Sequence, residues 1–396
     1  MSTYASTEVI LAAIVFPMNP SVETEYQNSV IHVKNDQAYL AVTQHSKSTD
    51  SYIGKPSVNI LTLYFSELHP NGTLKNTISV AEVSGSGGIL QDFIYSKTGK
   101  WVLIYIINSL DFTNSSLNIV TSGDGENWGP PTVIYQGWIS GPAPTLLERG
   151  DGTLFVEFAS HNETVPGIFW LYGINEGGTW KTMKAPFTPT ADGEFQRESA
   201  FIDENGNVGV VWDMGDQEGT HDLGLRYSML VDGSWSEPQA ITSNSIPLNG
   251  QNPRIFYSAK RGGYYLTVTN MQNGGVNPTT QLFFSSNWTN WELQGHFQSL
   301  SNYSVVEFSN GELGMVYFQR DSDETINLYQ ARSLDGSSWS SPQLIETVES
   351  SEIQVMASQN QRDSAAFVTT FIVSITVLVL LVRLPRVREL LSGLGL

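Results

Sequence analysis

Seven polar residues spread along the chain are its candidates for chemistry. They are Gln27, Asp50, Asp92, Arg197, Glu198, Arg254 and Tyr303. Carboxylates and arginines of mixed charge, beside amide and phenol groups, suit a ligand rich in hydroxyl groups. A carboxylate can also act as a general acid or base, and an activated tyrosine as a nucleophile. Because these residues are far apart in sequence, the fold must bring them together.

A short turn followed by a tryptophan recurs along the chain. It occurs at residues 122–128, 175–180, 232–235, 285–291 and 333–339, so that the tryptophans are 52, 55, 56 and 48 residues apart. Residues 70–74 form a similar turn one period earlier, with Leu74 in place of the tryptophan. Ser and Asp oxygens can bond turn amides, Gly supplies a positive φ, and Trp packs on a neighbouring strand. The chain therefore contains six units.

Each unit has the pattern of four short strands. Two apolar runs flank Asp-Gly or Asn-Gly, as at residues 144–158 and 304–318, which is a strong hairpin signal. The proline-containing run after three of the tryptophans indicates an edge strand, because proline cannot donate to an inner ladder. Six such sheets arranged radially predict an all-β, six-bladed β-propeller over residues 26–345.

In a propeller the innermost strand of each blade leads into a central funnel. The residues expected at this rim are Gln27, Asp92, Pro142, Arg197 with Glu198, Arg254 and Tyr303. Two interpretations stay open. The rim binds a hydroxylated ligand, or its residues close the funnel through hydrogen bonds between blades.

The turns resemble the Asp boxes of sialidases and related proteins with bacterial neuraminidase repeats, mostly in a variant one residue shorter than Ser-x-Asp-x-Gly-x-Thr-Trp. The resemblance covers about residues 26–345. It implies six blades, which is the sialidase number. It implies little about function, because Asp boxes in this family lie away from the active site and also occur in non-catalytic propellers.

Two segments resemble sialidase segments that carry catalytic residues. Tyr303 matches the tyrosine nucleophile, and Glu198 matches the glutamate that activates it, each in a segment one residue shorter than in the family. Asp50 matches the general acid only loosely. The resemblance thus implies a catalytic role for Asp50, Glu198 and Tyr303, with ordinary packing or turn roles as the alternative.

The arginines that would grip a substrate carboxylate are incomplete. Gln27 stands where the family has its first arginine, and Asp213 where it has the second. The glutamate that orients the first arginine is replaced by Phe318. Arg254 remains as a third arginine, with Arg197 as a nearby substitute. We therefore expect no appreciable sialidase activity on simple sialosides.

A second part of the chain predicts a membrane anchor. Residues 365–382 are 18 residues without a charge, which as a helix would span roughly 27 Å. Arg383, Arg386 and Arg388 follow directly, which places the short tail in the cytoplasm and the propeller outside it. The predicted segments are an N-terminal strand and linker at 1–25, the propeller at 26–345, a stalk at 346–363, the transmembrane helix at 364–383 and the tail at 384–396. The apolar residues 9–16 are interpreted as a strand rather than a signal peptide, because Glu8 precedes them.

Composition excludes several classes of function. A net charge of -19 disfavours nucleic acid as a partner, since an acidic surface repels phosphates. There is no cysteine, so thiolate metal sites and cysteine nucleophiles are excluded, and the histidines have no metal-ligand spacing. No cofactor is expected.

The sequence favours a membrane-anchored, sialidase-like propeller at the cell surface that binds a glycan or glycoprotein. Two alternatives remain open: an exo-glycosidase that acts on another sugar with a rearranged set of residues, and a non-catalytic structural or adhesive envelope protein. Whether the protein is an enzyme is left undecided by the sequence.

Overall fold

A computed structural model describes most of the predicted propeller. The described residues are 22–48, 58–84, 88–109, 114–139, 143–162, 165–176, 178–186, 194–215, 222–270, 279–288, 290–298, 300–320 and 326–347. The predicted strand at residues 9–16, the candidate acid Asp50, the stalk beyond Thr347, the transmembrane helix and the tail all lie outside these ranges. Across the ranges just given, the chain forms no helix with the length and apolarity needed to cross a membrane.

The described chain folds into six blade-forming antiparallel sheets, numbered here as blades 1 to 6 in chain order, and one two-stranded ribbon. Blade 1 contains β1 (Val22–Lys34), β2 (Gln37–Ser48), β3 (Val58–Leu68) and β4 (Leu74–Ser84). Blade 2 contains β5 (Gly88–Tyr95), β6 (Trp101–Asn108), β7 (Ser115–Ser122) and β8 (Thr132–Gly137). Blade 3 contains β9 (Thr145–Glu148), β10 (Leu154–Asn162), β11 (Val165–Glu176) and β12 (Thr179–Lys184).

The second half of the ring repeats this arrangement. Blade 4 contains β13 (Glu194–Ile202), β14 (Val208–Gly215), β15 (Asp222–Val231), β16 (Ser234–Trp235) and β17 (Gln239–Ala240), and a small ribbon of β18 (Thr242–Ser243) and β19 (Ile246–Pro247) follows. Blade 5 contains β20 (Gln251–Ser258), β21 (Gly263–Asn270), β22 (Thr279–Ser285) and β23 (Glu292–Gln298). Blade 6 contains β24 (Leu300–Glu307), β25 (Leu313–Arg320), β26 (Ile326–Ser333) and β27 (Gln343–Thr347). The predicted all-β, six-bladed propeller is confirmed.

The first strand of each blade lines the central axis. Strand β1 contacts β5 and β24, β9 contacts β5 and β13, and β20 contacts β13 and β24, so these six strands form a closed inner ring. The ring closes where blade 6 packs on blade 1, through a core that includes Leu40, Val42, Phe318 and Leu328. Each described blade is formed by strands that are consecutive in the chain.

The recurring turns join the third and fourth strands of their blades. In blade 2 the Ser122 hydroxyl accepts a hydrogen bond from the Gly125 amide at 2.9 Å, while Asp124 Oδ1 accepts from the amides of Glu126 and Asn127. These bonds lower the pKa of Asp124 below its usual range. Trp128 Nε1 donates back to the Gly125 carbonyl at 3.0 Å. The turn therefore satisfies its own backbone groups and fixes the indole.

Candidate functional site

Four of the six innermost strands carry a β-bulge beside the axis. The pairing register shifts at Gln27 in β1, at residues 196–197 in β13, at residues 252–253 in β20 and at residues 302–303 in β24. A bulge releases residues from the ladder and re-aims their side chains, which is why bulges occur often beside active sites. Three predicted rim residues, Gln27, Arg197 and Tyr303, lie at these bulges; only the backbone is described for the first two.

The bulge in blade 5 is held by both neighbouring blades. Asn252 has a φ of 56°, a left-handed value that is uncommon outside glycine. Its amide donates to Asp213 Oδ2 of blade 4 at 3.0 Å, and its carbonyl accepts from the Tyr303 hydroxyl of blade 6 at 3.2 Å. Because Arg254 follows two residues later, this clamp on Asn252 fixes the backbone that carries the guanidinium.

Asp92 joins blade 2 to blade 3. Its Oδ2 accepts a hydrogen bond from the Leu146 amide of β9 at 2.7 Å, and its Oδ1 accepts from the Phe93 amide at 2.8 Å. Burial raises the pKa of Asp92 to about 6, and these two bonds oppose the rise. Both oxygens of the Asp92 carboxyl therefore accept backbone hydrogen bonds, and one of these bonds holds blade 3 against blade 2.

Glu157 and Glu198 form a buried carboxyl pair between blades 3 and 4. Both side chains are 1% exposed. Among the described residues, no group donates a hydrogen bond to any of their four oxygens. Burial raises the pKa of both, and the negative charge of Glu157 raises the pKa of Glu198 further. Two neighbouring carboxylates repel each other, so their burial together favours the protonated form of at least one member.

The guanidinium of Arg254 is the positive charge that these carboxyls share. Its field lowers the pKa of Asp92, Glu157 and Glu198, so groups from blades 2, 3 and 4 all lie near one cation of blade 5. Asp213 adds a further negative charge that raises the pKa of Glu198. Among the described residues these acids outnumber the cation near them, and burial of an unbalanced negative charge favours proton uptake.

The predicted site residues thus fall into three groups. The structure brings Asp92, Glu198 and Arg254 into one electrostatic cluster and places Tyr303 beside it through Asn252. Gln27 and Arg197 lie on inner strands, and Asp50 lies outside the described residues. Within the described ranges, no group of three or more His, Asp or Glu side chains is placed to hold a metal ion.

Sequence reasoning missed Glu157. It sits on β10, a second strand, whereas the residues predicted for the rim were the leading residues of first strands. Glu157 pairs with Thr145, whose hydroxyl accepts from the Ala200 amide of blade 4, so both side chains face that blade. The available signal was an acid within the apolar run of residues 154–159, because acids are rarely buried unless they are paired.

Comparison with known proteins identifies the fold. No protein-family model and no curated protein matches the sequence. Among solved structures, the chain is similar to a sialidase from Streptococcus pneumoniae (TM-score 0.53, 11% identity, covering 82% of this chain and 67% of that one). It is also similar to an α-L-arabinanase from Penicillium chrysogenum complexed with arabinobiose (TM-score 0.52, 14% identity, 74% and 89% covered).

A third similar structure is an α-L-arabinofuranosidase from Fusarium graminearum in complex with an iminosugar inhibitor (TM-score 0.52, 11% identity, 78% and 92% covered). At these identities the likeness shows a sialidase-like propeller fold, and function has to be argued from the site itself.

Proposed function

We propose that this protein is a glycoside hydrolase in which the Glu157–Glu198 pair transfers the proton at the glycosidic oxygen. The observation that carries the proposal is the pair itself: two buried carboxyls with no hydrogen-bond donor among the described residues, whose pKa values are raised by burial. Buried acids with strongly shifted pKa values are candidates for catalysis, because a fold that needed only packing would be more stable with apolar groups there.

The chemistry available to the pair is general acid and base catalysis. The protonated member can donate to the leaving-group oxygen, and the carboxylate left behind can take a proton from the attacking water. The Arg254 charge lowers the pKa of both members and so opposes the effect of burial. The fold supports this class of reaction by analogy only, as the three similar structures are glycoside hydrolases by name.

The substrate class is a sugar without a carboxylate. Gln27 and Asp213 stand where the sialidase resemblance implies arginines, and Asp213 is 1% exposed and accepts the Asn252 amide. Each charge-assisted contact to a carboxylate contributes about 1.5–3 kcal/mol, so two missing arginines weaken recognition by about 3–6 kcal/mol. A neutral sugar such as an arabinofuranoside is the first to test.

Non-catalytic binding of a glycan is the second candidate, and one observation favours it. The Tyr303 hydroxyl, expected to act as a nucleophile, donates to the Asn252 carbonyl, and Tyr303 is 5% exposed. A funnel built in this way around backbone groups could recognise a sugar through Arg254 and the acids without cleaving it.

The test is a panel of 4-nitrophenyl glycosides, beginning with the α-L-arabinofuranoside and including a sialoside, assayed with the full chain. Glu157→Gln and Glu198→Gln should each reduce turnover about 10²–10⁴-fold, the usual contribution of a general acid or base. Glu292→Gln, an exposed acid of blade 5, is the matched control and should leave turnover unchanged. Sugar binding without turnover would favour the second candidate, and turnover that survives both Gln variants would contradict the role of the pair.

We also propose that the propeller lies outside the cytoplasm and is held at the membrane by the helix predicted at residues 364–383. This location is supported by the uncharged run at residues 365–382 and by the three arginines that follow it. A hydrolase held there would act on glycans at the cell surface.

A further inference from the structure

The interface between blades 6 and 1 differs from the five other interfaces in the residue that its turn supplies. In blades 2 to 6 the turn between third and fourth strands places an indole against the preceding blade. Examples are Trp128 on Phe65 (ring centroids 5.2 Å apart), Trp235 on Tyr172 (5.6 Å) and Trp288 on Tyr227 (4.5 Å). Trp180 and Trp339 pack in the same way on blades 2 and 5. Blade 1 supplies only Leu74 to its interface with blade 6.

A cavity of about 490 Å³ lies at this interface. We name it the seam cleft; its lining residues are Val42, Gln44, Tyr64, Ser66, Leu74, Thr77 and Ile345. The turn of blade 1 closes against blade 6 near Gly72, where an added Cβ would lie 2.7 Å from the Leu344 carbonyl oxygen. Gln330 of blade 6 also donates to the carbonyls of His69 and Pro70. The blades therefore touch at the turn and part beside Leu74.

The lining of the seam cleft combines apolar and uncharged polar side chains. Val42, Tyr64, Leu74 and Ile345 supply apolar surface, Gln44, Ser66 and Thr77 supply polar groups, and no charged side chain lines the cavity. Two of its polar groups are already paired, since the Ser66 hydroxyl donates to Thr77 Oγ1 at 2.9 Å. A charged ligand would find no counter-charge there, whereas aliphatic groups would complete the core of this interface.

We propose that the seam cleft binds the chain's own segment after β27, with Ile353 and Val355 as the inserted side chains. Ile345 of the last strand lines the cleft, and the described chain ends two residues later at Thr347. The six residues from Thr347 to Ile353 span at most about 20 Å when extended, which is enough to turn back along β27. In an extended segment Ile353 and Val355 share one face, because Gln354 separates them.

This docking would give the interface between blades 6 and 1 the apolar packing that tryptophan gives the other interfaces. It would fill the interface that closes the ring and hold the base of the predicted stalk against the propeller. It does not depend on the proposed function, since the cleft lies away from the Glu157–Glu198 pair.

Engineered cysteine pairs test the proposal directly, because the chain has no cysteine of its own. Thr77→Cys combined with Val355→Cys should form an intramolecular disulfide under mild oxidation of the full chain, detected as a linked peptide by mass spectrometry. The control pair, Ser337→Cys with Val355→Cys, uses an exposed turn position of blade 6 and should not link. Thr77→Cys with Ile10→Cys tests the N-terminal segment as occupant.

A disulfide in the Ile10→Cys pair, a bond between two copies, or no bond at position 355 would each overturn the proposal.

Thermal unfolding of the full chain gives a second measurement. Ile353→Ser with Val355→Ser should lower the midpoint by about 2 °C or more in the native background. The same change should have little effect in a Leu74→Trp background, where the indole fills the cleft. An equal loss in both backgrounds would also contradict the docking.

Discussion

Two acids of this propeller lie in its interior, where the ionised form of a carboxyl group is unfavourable. Glu157 and Glu198 are buried on facing blades, and removing two carboxylates from water costs several kcal/mol, which the attraction of the Arg254 guanidinium opposes. A shared proton lowers this cost. Stability and function therefore depend on the same proton. It reduces the cost of burying the two carboxyls, and it is the proton that the pair would transfer.

The pair should make the protein less stable as pH rises. Burial raises the pKa of Glu157 and Glu198 above the ordinary value of 4.5, so the folded state binds more protons than the unfolded state above that pH. Their contribution to stability is therefore fully present below pH 4.5 and is lost as pH rises through the folded pKa values. Thermal unfolding followed from about pH 5 to pH 8 should show a falling midpoint.

The variants Glu157→Gln and Glu198→Gln should flatten this dependence, because an amide does not titrate. Glu292→Gln should keep the native slope, since that side chain is exposed. A native slope in both Gln variants of the buried pair would show that the pH dependence arises elsewhere, for example from the net charge of -19.

Tyr303→Phe separates the two roles considered for this residue. If Tyr303 were the nucleophile, its loss would abolish hydrolysis. In the structure its hydroxyl holds the Asn252 carbonyl, so the expected result is a loss of about 0.5–1.5 kcal/mol in stability and at most about a tenfold loss in turnover. Complete loss of turnover with unchanged stability would restore the nucleophile interpretation.

The site could be predicted from sequence only in part. Asp92, Glu198, Arg254 and Tyr303 could be proposed because each lies on the first strand of its blade, and the repeat locates those strands. For Glu157 the sequence offers only an acid within an apolar run, and it does not show that this residue of β10 faces blade 4. The bulge at residues 252–253 was equally hidden, since its geometry depends on contacts from two other blades.

At the scale of the element, the turn between third and fourth strands determines how blades stack. Trp128→Leu would make blade 2 resemble blade 1, and the lost contact with Phe65 should lower the free energy of unfolding by about 1–3 kcal/mol. Val133→Ala, on the outer strand of the same blade and 55% exposed, is the control and should change it by less than about 0.5 kcal/mol. Denaturant unfolding measures both, and equal effects would mean that the indole does not bind the blades together.

The number of blades followed from sequence because each turn is a local structure with local hydrogen bonds, as at Ser122 and Asp124. Ring closure did not follow, because it depends on packing between residues about 280 positions apart, such as Leu40 and Phe318. The additional ribbon of β18 and β19 carries no repeat signal and was not predicted.

At the scale of the whole molecule, the arrangement of charge and apolarity predicts where the protein resides. Charged residues make up 15% of the chain, yet residues 365–382 contain none. The blades bury their apolar faces against one another, so this run is the part of the sequence with apolar length for a bilayer. We expect the full chain to sediment with membranes and to resist extraction by high salt, which releases proteins held by charge alone.

The orientation follows from the arginines after that run. Moving Arg383, Arg386 and Arg388 across the bilayer is unfavourable, so the tail should stay in the cytoplasm and the propeller outside it. Protease added to intact cells should therefore remove the propeller and leave a fragment that an antibody against the tail detects. Replacing the three arginines by serine should weaken this preference, and the same change at Lys97, Lys100 and Lys181 of the propeller is a control that should not. A propeller that stays protected while the tail is digested would reverse the assignment, and recovery of the intact chain in the soluble fraction would exclude the anchor.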